Sequence, residues 1–518
     1  MLATSTRGLV TSPHPLASEA GRRVLANGGN AIEATLAMAA VLAVVYPHFT
    51  GLGGDAFWMI ASTDGRVRNI SGIGQAAQHC PAYAGSIPVR GPAAALTSAA
   101  AVDSWGKAFD VSRQAWGGRL SWRELLEPAI VHAQEGVAVS QSQHFWAQQR
   151  ASEMAGWPGF ADTFLSSSDV LRQPKLAATL TRMADAGARD FYEGETAWRL
   201  AQGLAKAGSP LTLADLQVTH AREEEPLRIP YRQGELLTFA PPTQGVATLQ
   251  AMAMLGHTDF SRVEEGSADY YHLLVEAIKL AFIDRDRFVA DPDDVEVPVA
   301  RLLDPEYIRN QAKRISRERA RAWPHVFKHG DTVFLGAADA HGRGVGLLQT
   351  IYFDWGSGVV AGDTGVLWHN RGAAFSTDTR HPNVLRPGKR PFHTLNPGVY
   401  MEGGRPKLVY GTQGADGQPQ TLVALLTRMI DYGFDPLQAM ARPRFLLGRT
   451  FSDSRDTLKL EADVGEETLR YLSAMGHEIS IIPAQSPLAG QPGVIRLEAD
   501  GFLSGAHDPR SEGCALGV

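Results

Sequence analysis

Residues 329–352 read HGDTVFLGAADAHGRGVGLLQTIY, and this stretch decides the fold. Two apolar runs, VFLGAAD and VGLLQTIY, flank a tight Gly-containing turn from Asp339 to Gly342, which is the pattern of a β-hairpin. With the turn centred near His341, Thr332 falls roughly opposite Thr350 on the partner strand. Upstream, residues 310–330 (NQAKRISRERARAWPHVFKHG) lose the apolar pattern and are dominated by positive charge. An exposed, mobile segment is therefore expected to lead into a buried strand. Such a junction is a natural place for a chain to be cut.

A threonine opens that strand. Its hydroxyl is a weak nucleophile unless a base is adjacent, and cleavage between Asp331 and Thr332 would supply one in the residue's own α-amine. An unperturbed α-amine titrates at about 8, close to where a general base works best. Nucleophile and base would then arise in one event. A strand-opening threonine is common, however, and by itself requires no chemistry.

Further out, the segment ASEAGRRVLANGGNAIEATLAMAAVLAVVY (17–46) reads as two helices, the first ended by Gly28 and Gly29 and the second capped by Asn30. GLGGD (51–55) follows as a turn, then FWMIAST as a buried strand. The middle of the chain carries helices such as SWRELLEPAIVHAQEG and SADYYHLLVEAIKLAFIDRDRF, with apolar residues three and four apart. On the second of these, Asp284 and Asp286 alternate with Arg285 and Arg287, which reads as a solvated ionic face. After Thr394 strands alternate with helices, and no internal repeat occurs.

The bulk properties remove several function classes. A net charge of -6 over 518 residues leaves no basic footprint for nucleic acid. Cys80 and Cys514 are the only cysteines, so neither a disulfide framework nor a zinc cluster is expected. The apolar run Ala34–Tyr46 is shorter than the roughly 18 residues a membrane span needs, and no signal-peptide core precedes it. A cytoplasmic protein without membrane or nucleic-acid partners is expected. G-x-S-x-G, Walker-type, H-E-x-x-H and dinucleotide-binding motifs are all missing.

The motifs SPHPLASEAG, GGNAIEA, VVYPHFTGLGGD, APPTQG, HLLVEAIKLAFIDRDRF, DTVFLGAADAHG, GSGVVAGDTGVL, KRPFHTLNP, GTQGADGQPQT, ARPRF and DPRS stand in an order that resembles the gamma-glutamyltranspeptidase family of N-terminal nucleophile hydrolases. The resemblance covers nearly the whole chain. It implies an α+β fold, a four-layer αββα sandwich, autoprocessed into fragments 1–331 and 332–518 that stay together as one structural domain. Those fragments would form a heterodimer, and a dimer of heterodimers is compatible with it. The resemblance also implies Thr332 as nucleophile, Thr350 as support for its α-amino group, and the backbone N–H groups of Gly414 and Ala415 as the oxyanion hole. Ala415 replaces the glycine found at that place in other members.

The substrate positions depart further. An Asn and the acidic and amide side chains that hold a glutamyl α-amino group in other members are replaced here by Tyr352, Arg371 and Ala374, and a Ser pair by His393 and Thr394. With Gln413 beside the oxyanion pair, these residues form the expected substrate site. A guanidinium in place of a carboxylate favours a small substrate bearing a carboxylate and no α-amino group. NRGAAF, PFHTLNP and GADGQPQT most resemble the branch that includes oxamate amidohydrolase. Arg371 could instead bridge to Asp363 or Asp378. The alternatives are a glutathione hydrolase or transpeptidase, a glutaryl-type acylase, or an uncleaved binding or assembly protein. No metal or organic cofactor is expected.

Overall fold

Two antiparallel seven-stranded sheets lie face to face at the centre of the computed structural model, which describes residues 1–157, 159–165, 168–323, 331–449 and 455–518. One sheet runs Cys514–Gly517, Gly8–Ser12, Asp331–Asp339, Gly344–Tyr352, Asp55–Ala61, Val67–Gly72, Arg222–Glu224 in spatial order. The other runs Ala3–Ser5, Leu503–His507, Pro492–Leu497, Arg405–Thr412, Gly398–Glu402, Gly234–Thr238, Leu227–Tyr231.

Side chains alternate across each strand. From Asp331–Asp339, Phe334 and Ala338 point between the sheets against Phe57, Val409 and Ile495. Val333, Leu335 and Ala337 point outward onto the helix Ala31–Val45. Both faces are covered, and this is why VFLGAA is apolar throughout rather than alternating with polar residues. On the far side, Gly245–Leu255, Ala268–Phe288 and Gln418–Ile430 cover the second sheet. The architecture is the αββα sandwich expected from the sequence.

Local chemistry fixes the elements that carry the hairpin. Every residue of Ala31–Val45 is buried, so the helix has no polar face. Asn30 caps it through a capping box, accepting from the N–H groups of Ile32 (3.0 Å) and Glu33 (3.1 Å) and donating its own N–H to Glu33 Oε2 (2.8 Å). Asp339, at the hairpin turn, accepts from His341 N–H (3.0 Å) and from Ala31 N–H (3.2 Å), docking the turn onto that helix N-terminus.

The Asp284–Arg287 stretch is a solvated face only in part: Asp286 and Arg287 are exposed as expected. Asp284 and Arg285 are buried. Gln250 and Tyr307 both donate to Asp284 Oδ2, at 2.9 and 2.8 Å, because helices Gly245–Leu255 and Pro305–Ala312 close over this end of Ala268–Phe288. In the basic segment, Ser316 O accepts from His272 (2.6 Å), Arg321 O accepts from Lys279 (2.6 Å) and Trp323 Nε1 donates to Asp456 (3.1 Å). Its remainder, 324–330, lies outside the described residues.

Candidate active site

The hairpin is regular from Ala338 opposite Gly344 to Val333 opposite Gln349, then slips so that Asp331 faces Tyr352. Thr332 therefore stands against both Thr350 and Ile351, a bulge of the kind that re-aims side chains beside reactive sites. Thr350 lies opposite Thr332 as the turn geometry required. Its hydroxyl donates to the Asp331 carbonyl oxygen at 2.5 Å and accepts from Tyr352 N–H at 2.7 Å. Thr350 thus holds the carbonyl of the Asp331–Thr332 peptide bond by a side-chain hydrogen bond. Thr332 itself is 1% exposed.

The Asp331 carboxyl is pushed up to about 8, first by burial and then by the Asp354 carboxylate, against the pull of Arg150 and Arg90. Asp354 is itself gripped by Arg150 (2.6 and 3.1 Å) and Arg90 (3.1 Å). Asp331, Gln413, Gly414 and Ala415 line one cavity of about 870 Å³, whose wall also includes Trp146 and Phe353. Thr332, Thr350, Tyr352, Arg371, His393 and Thr394 do not line it; they are buried. Gly414 (φ 118°) and Ala415 (φ 44°) form a left-handed turn that opens the helical stretch Ala415–Gly417. N–H groups at such a start have no acceptor within the helix.

Arg371 begins the short helical turn Arg371–Ala374 and is completely buried. Its Cζ lies 3.6 Å from the centre of the Tyr352 ring. Among the described residues none of its three guanidinium nitrogens has a hydrogen-bond partner. The structural bridges considered from sequence are taken by other arginines: Asp363 pairs with Arg199 and Asp378 with Arg380. Burial draws the guanidinium down to about 10, against the charges of Tyr352, Asp55 and Asp416, so it stays protonated near neutrality. The Thr394 hydroxyl is also buried without a hydrogen-bond partner among the described residues.

Asp55, which the sequence offered only as the end of a turn, is the charged residue missed there. Its Oδ1 accepts from Gly74 N–H at 2.9 Å, and its Oδ2 faces His393 Nε2 at 3.1 Å and His369 Nδ1 at 3.5 Å. Burial opposes its charge, but the two imidazoles outweigh that and hold the carboxyl far below the usual range. His393 is drawn down to about 3 by burial and by Arg371, so it stands neutral and donates to Asp55. Asp55 also pairs with Thr350 across the sheet. The approach there is close enough that a side chain on Gly54 would lie 2.1 Å from Thr350 O, which only glycine permits.

Among the described residues, His272, Glu276 and His477 form the one cluster with metal-ligand spacing. Its atoms are already engaged: the two histidines share a 2.8 Å hydrogen bond, and the Lys279 ammonium lies 2.8 Å from Glu276. Lys279 supplies the cation there. No helix among the described residues is long and apolar enough to cross a membrane.

The family model described as Gamma-glutamyltranspeptidase matches residues 17–518. An oxamate amidohydrolase proenzyme of Klebsiella pneumoniae subsp. pneumoniae is 43% identical over 524 residues, 99% of each chain. A glutathione hydrolase-like YwrD proenzyme of Bacillus subtilis is 40% identical, again over 99% of each. Among solved structures, a cephalosporin acylase from Bacillus halodurans superposes with a TM-score of 0.91 at 29% identity, covering 100% of this chain and 97% of the other.

Proposed function

Since the chain belongs to the gamma-glutamyltranspeptidase family, we propose that it is a precursor that cuts itself between Asp331 and Thr332 and then hydrolyses a small carboxylate-bearing amide, with oxamate as the leading candidate. In the first stage Thr332 Oγ attacks the Asp331 carbonyl carbon, whose oxygen Thr350 already polarises. The C–N bond breaks, the released nitrogen takes the proton given up by the Thr332 hydroxyl, and an ester joins the two residues. Water hydrolyses that ester to a C-terminal Asp331 carboxylate and a free Thr332 with hydroxyl and α-amine.

In the second stage the α-amine takes the hydroxyl proton as Oγ attacks the substrate amide. The N–H groups of Gly414 and Ala415 stabilise the oxyanion, the effect that contributes most to such reactions. The leaving nitrogen accepts the proton and departs as ammonia. Water then hydrolyses the ester on Thr332, releasing oxalate. The two fragments remain associated through the shared sheet.

The observation that carries the substrate class is Arg371: a fully buried cation whose three nitrogens have no hydrogen-bond partner among the described residues suits pairing with an anion. A glutamyl substrate lacks its anchor here, because Tyr352 and Ala374 offer no carboxylate for an α-ammonium group. One observation favours a second reading. The cavity beside Gly414 and Ala415, about 870 Å³, is larger than oxamate needs, which suits an acylase for a longer carboxylate-bearing acyl group.

Ammonia release from oxamate, nitroanilide release from a gamma-glutamyl reporter and hydrolysis of a glutaryl amide, measured side by side, test these readings. Oxamate is expected to be the best substrate. A preference for the gamma-glutamyl reporter would overturn the role given to Arg371. A single full-length band with no turnover of any of the three would instead indicate an uncleaved binding protein.

A further inference from the structure

We infer that Gln244 is a positioning residue, which locks the Gly414–Ala415 turn into the shape that presents its N–H groups, with Arg285 and Asp416 bracing it. This rests on the oxyanion role proposed above for that turn. The starting point is the backbone of Ala415, whose φ of 44° lies in the left-handed region that L side chains rarely adopt. Such a conformation persists only where its surroundings over-determine it.

The surroundings here are specific. Gln244 is fully buried in the turn that follows the Gly234–Thr238 strand. Its Nε2 donates both protons, one to Ala415 O at 2.8 Å and one to Thr394 O at 2.7 Å. Its Oε1 accepts from Arg285 Nη1 at 2.9 Å, and the same Nη1 reaches Asp416 Oδ1 at 3.2 Å. A guanidinium has donors only, so the Gln244 amide cannot flip: its oxygen must face Arg285 and its nitrogen must face the two carbonyls. The Gln244 main-chain N–H also donates to His393 O at 2.9 Å. One side chain thereby ties the strained turn to the His393–Thr394 segment, and Arg285, stacked 3.8 Å from the Phe282 ring centre, fixes which way that side chain points.

This explains why a glutamine and a buried arginine, neither of which lines the cavity, stand where they do. Packing alone would be met by a methionine at 244. The turn's amides, by contrast, need a donor to Ala415 O. Removing it lets Ala415 relax out of the left-handed region and carry its N–H away from the reacting carbonyl.

The test uses the full chain after self-cleavage, with kcat for ammonia release from oxamate expressed per mole of the Thr332 fragment. Gln244→Met is expected to lower kcat about 10- to 100-fold, a partial loss of one oxyanion donor, with KM within about threefold. Ala415→Gly added to Gln244→Met is expected to recover a large part of that loss, because glycine adopts a positive φ without strain. A packing role would give no such rescue. If Gln244→Met does not fold, Gln244→Glu keeps the shape, loses the donor and is read the same way. A kcat within twofold of wild type, or no recovery on adding Ala415→Gly, would overturn the inference. Thr332→Ala, run in parallel, separates the two levels: turnover by that variant would remove the proposed reaction itself, whereas an inert Thr332→Ala beside an unaffected Gln244→Met would remove only the positioning role.

Discussion

Replacing Arg371 with methionine is expected to make the protein more stable and less active together. The guanidinium is completely buried and without a hydrogen-bond partner among the described residues, and burial draws it well below its ordinary value, to about 10. At about 1.4 kcal/mol per pH unit, holding the charge there costs about 3 kcal/mol. The Tyr352 ring, 3.6 Å away, returns about 1 kcal/mol of cation–π attraction. Arg371→Met should therefore raise the unfolding free energy of the ligand-free enzyme by about 2 kcal/mol, as replacement of uncompensated buried charge by an apolar side chain often does. The same change removes two charge-assisted hydrogen bonds to a substrate carboxylate, each worth about 1.5–3 kcal/mol. That corresponds to a loss of about 10²- to 10⁴-fold in kcat/KM for oxamate. Urea denaturation with and without oxalate reads both effects at once: the wild type should gain about 2.7 kcal/mol at a hundredfold excess of oxalate over Kd, and the variant nothing. A variant that is less stable than wild type and keeps the oxalate-induced gain would show that Arg371 is structural, and the substrate class would fall with it.

Three further outcomes are expected. Thr350→Val removes the 2.5 Å hydrogen bond to the Asp331 carbonyl and should slow self-cleavage about 10²- to 10³-fold on timed denaturing gels; cleavage at the wild-type rate would exclude the polarising role. In the uncleaved Thr332→Ala chain, Asp331 holds its proton up to about 8, whereas the unfolded chain releases it at about 4. Its contribution to stability is thus complete below about 4 and is lost as pH rises through about 8, so denaturation midpoints should fall across that window and fall less when Asp331→Asn is added. Finally, Asn30→Ala opens the capping box beneath the hairpin and should cost about 1 kcal/mol in urea denaturation, with no change in KM if the helix only supports the site.

Most of the fold was legible because the hairpin and its covering helix are local. The turn at Asp339–Gly342 fixed which strands pair, and the unbroken apolar character of Ala31–Val45 told of burial on every side. The one-residue slip at Thr332 was not legible, since a bulge changes register without changing composition. Asp55 escaped notice because the side chain that gives it meaning, His393, lies 338 residues away in sequence. Arg285 was misread for a related reason. Helical periodicity reports which face is apolar, but it does not report that another helix covers the end of that face, and Arg285 turns there toward Gln244 and Asp416. Arg371 was visible as a change of charge, whereas its lack of a hydrogen-bond partner among the described residues could only be seen in three dimensions.

The central claim is that the working catalyst carries a free α-amine on Thr332. Intact-mass spectrometry of enzyme that is actively releasing ammonia tests it most directly. Two chains are expected, the smaller beginning at Thr332 with an N-terminal amine whose reaction with an amine-selective label abolishes activity. An active protein whose peptide bond between Asp331 and Thr332 is unbroken would contradict the account.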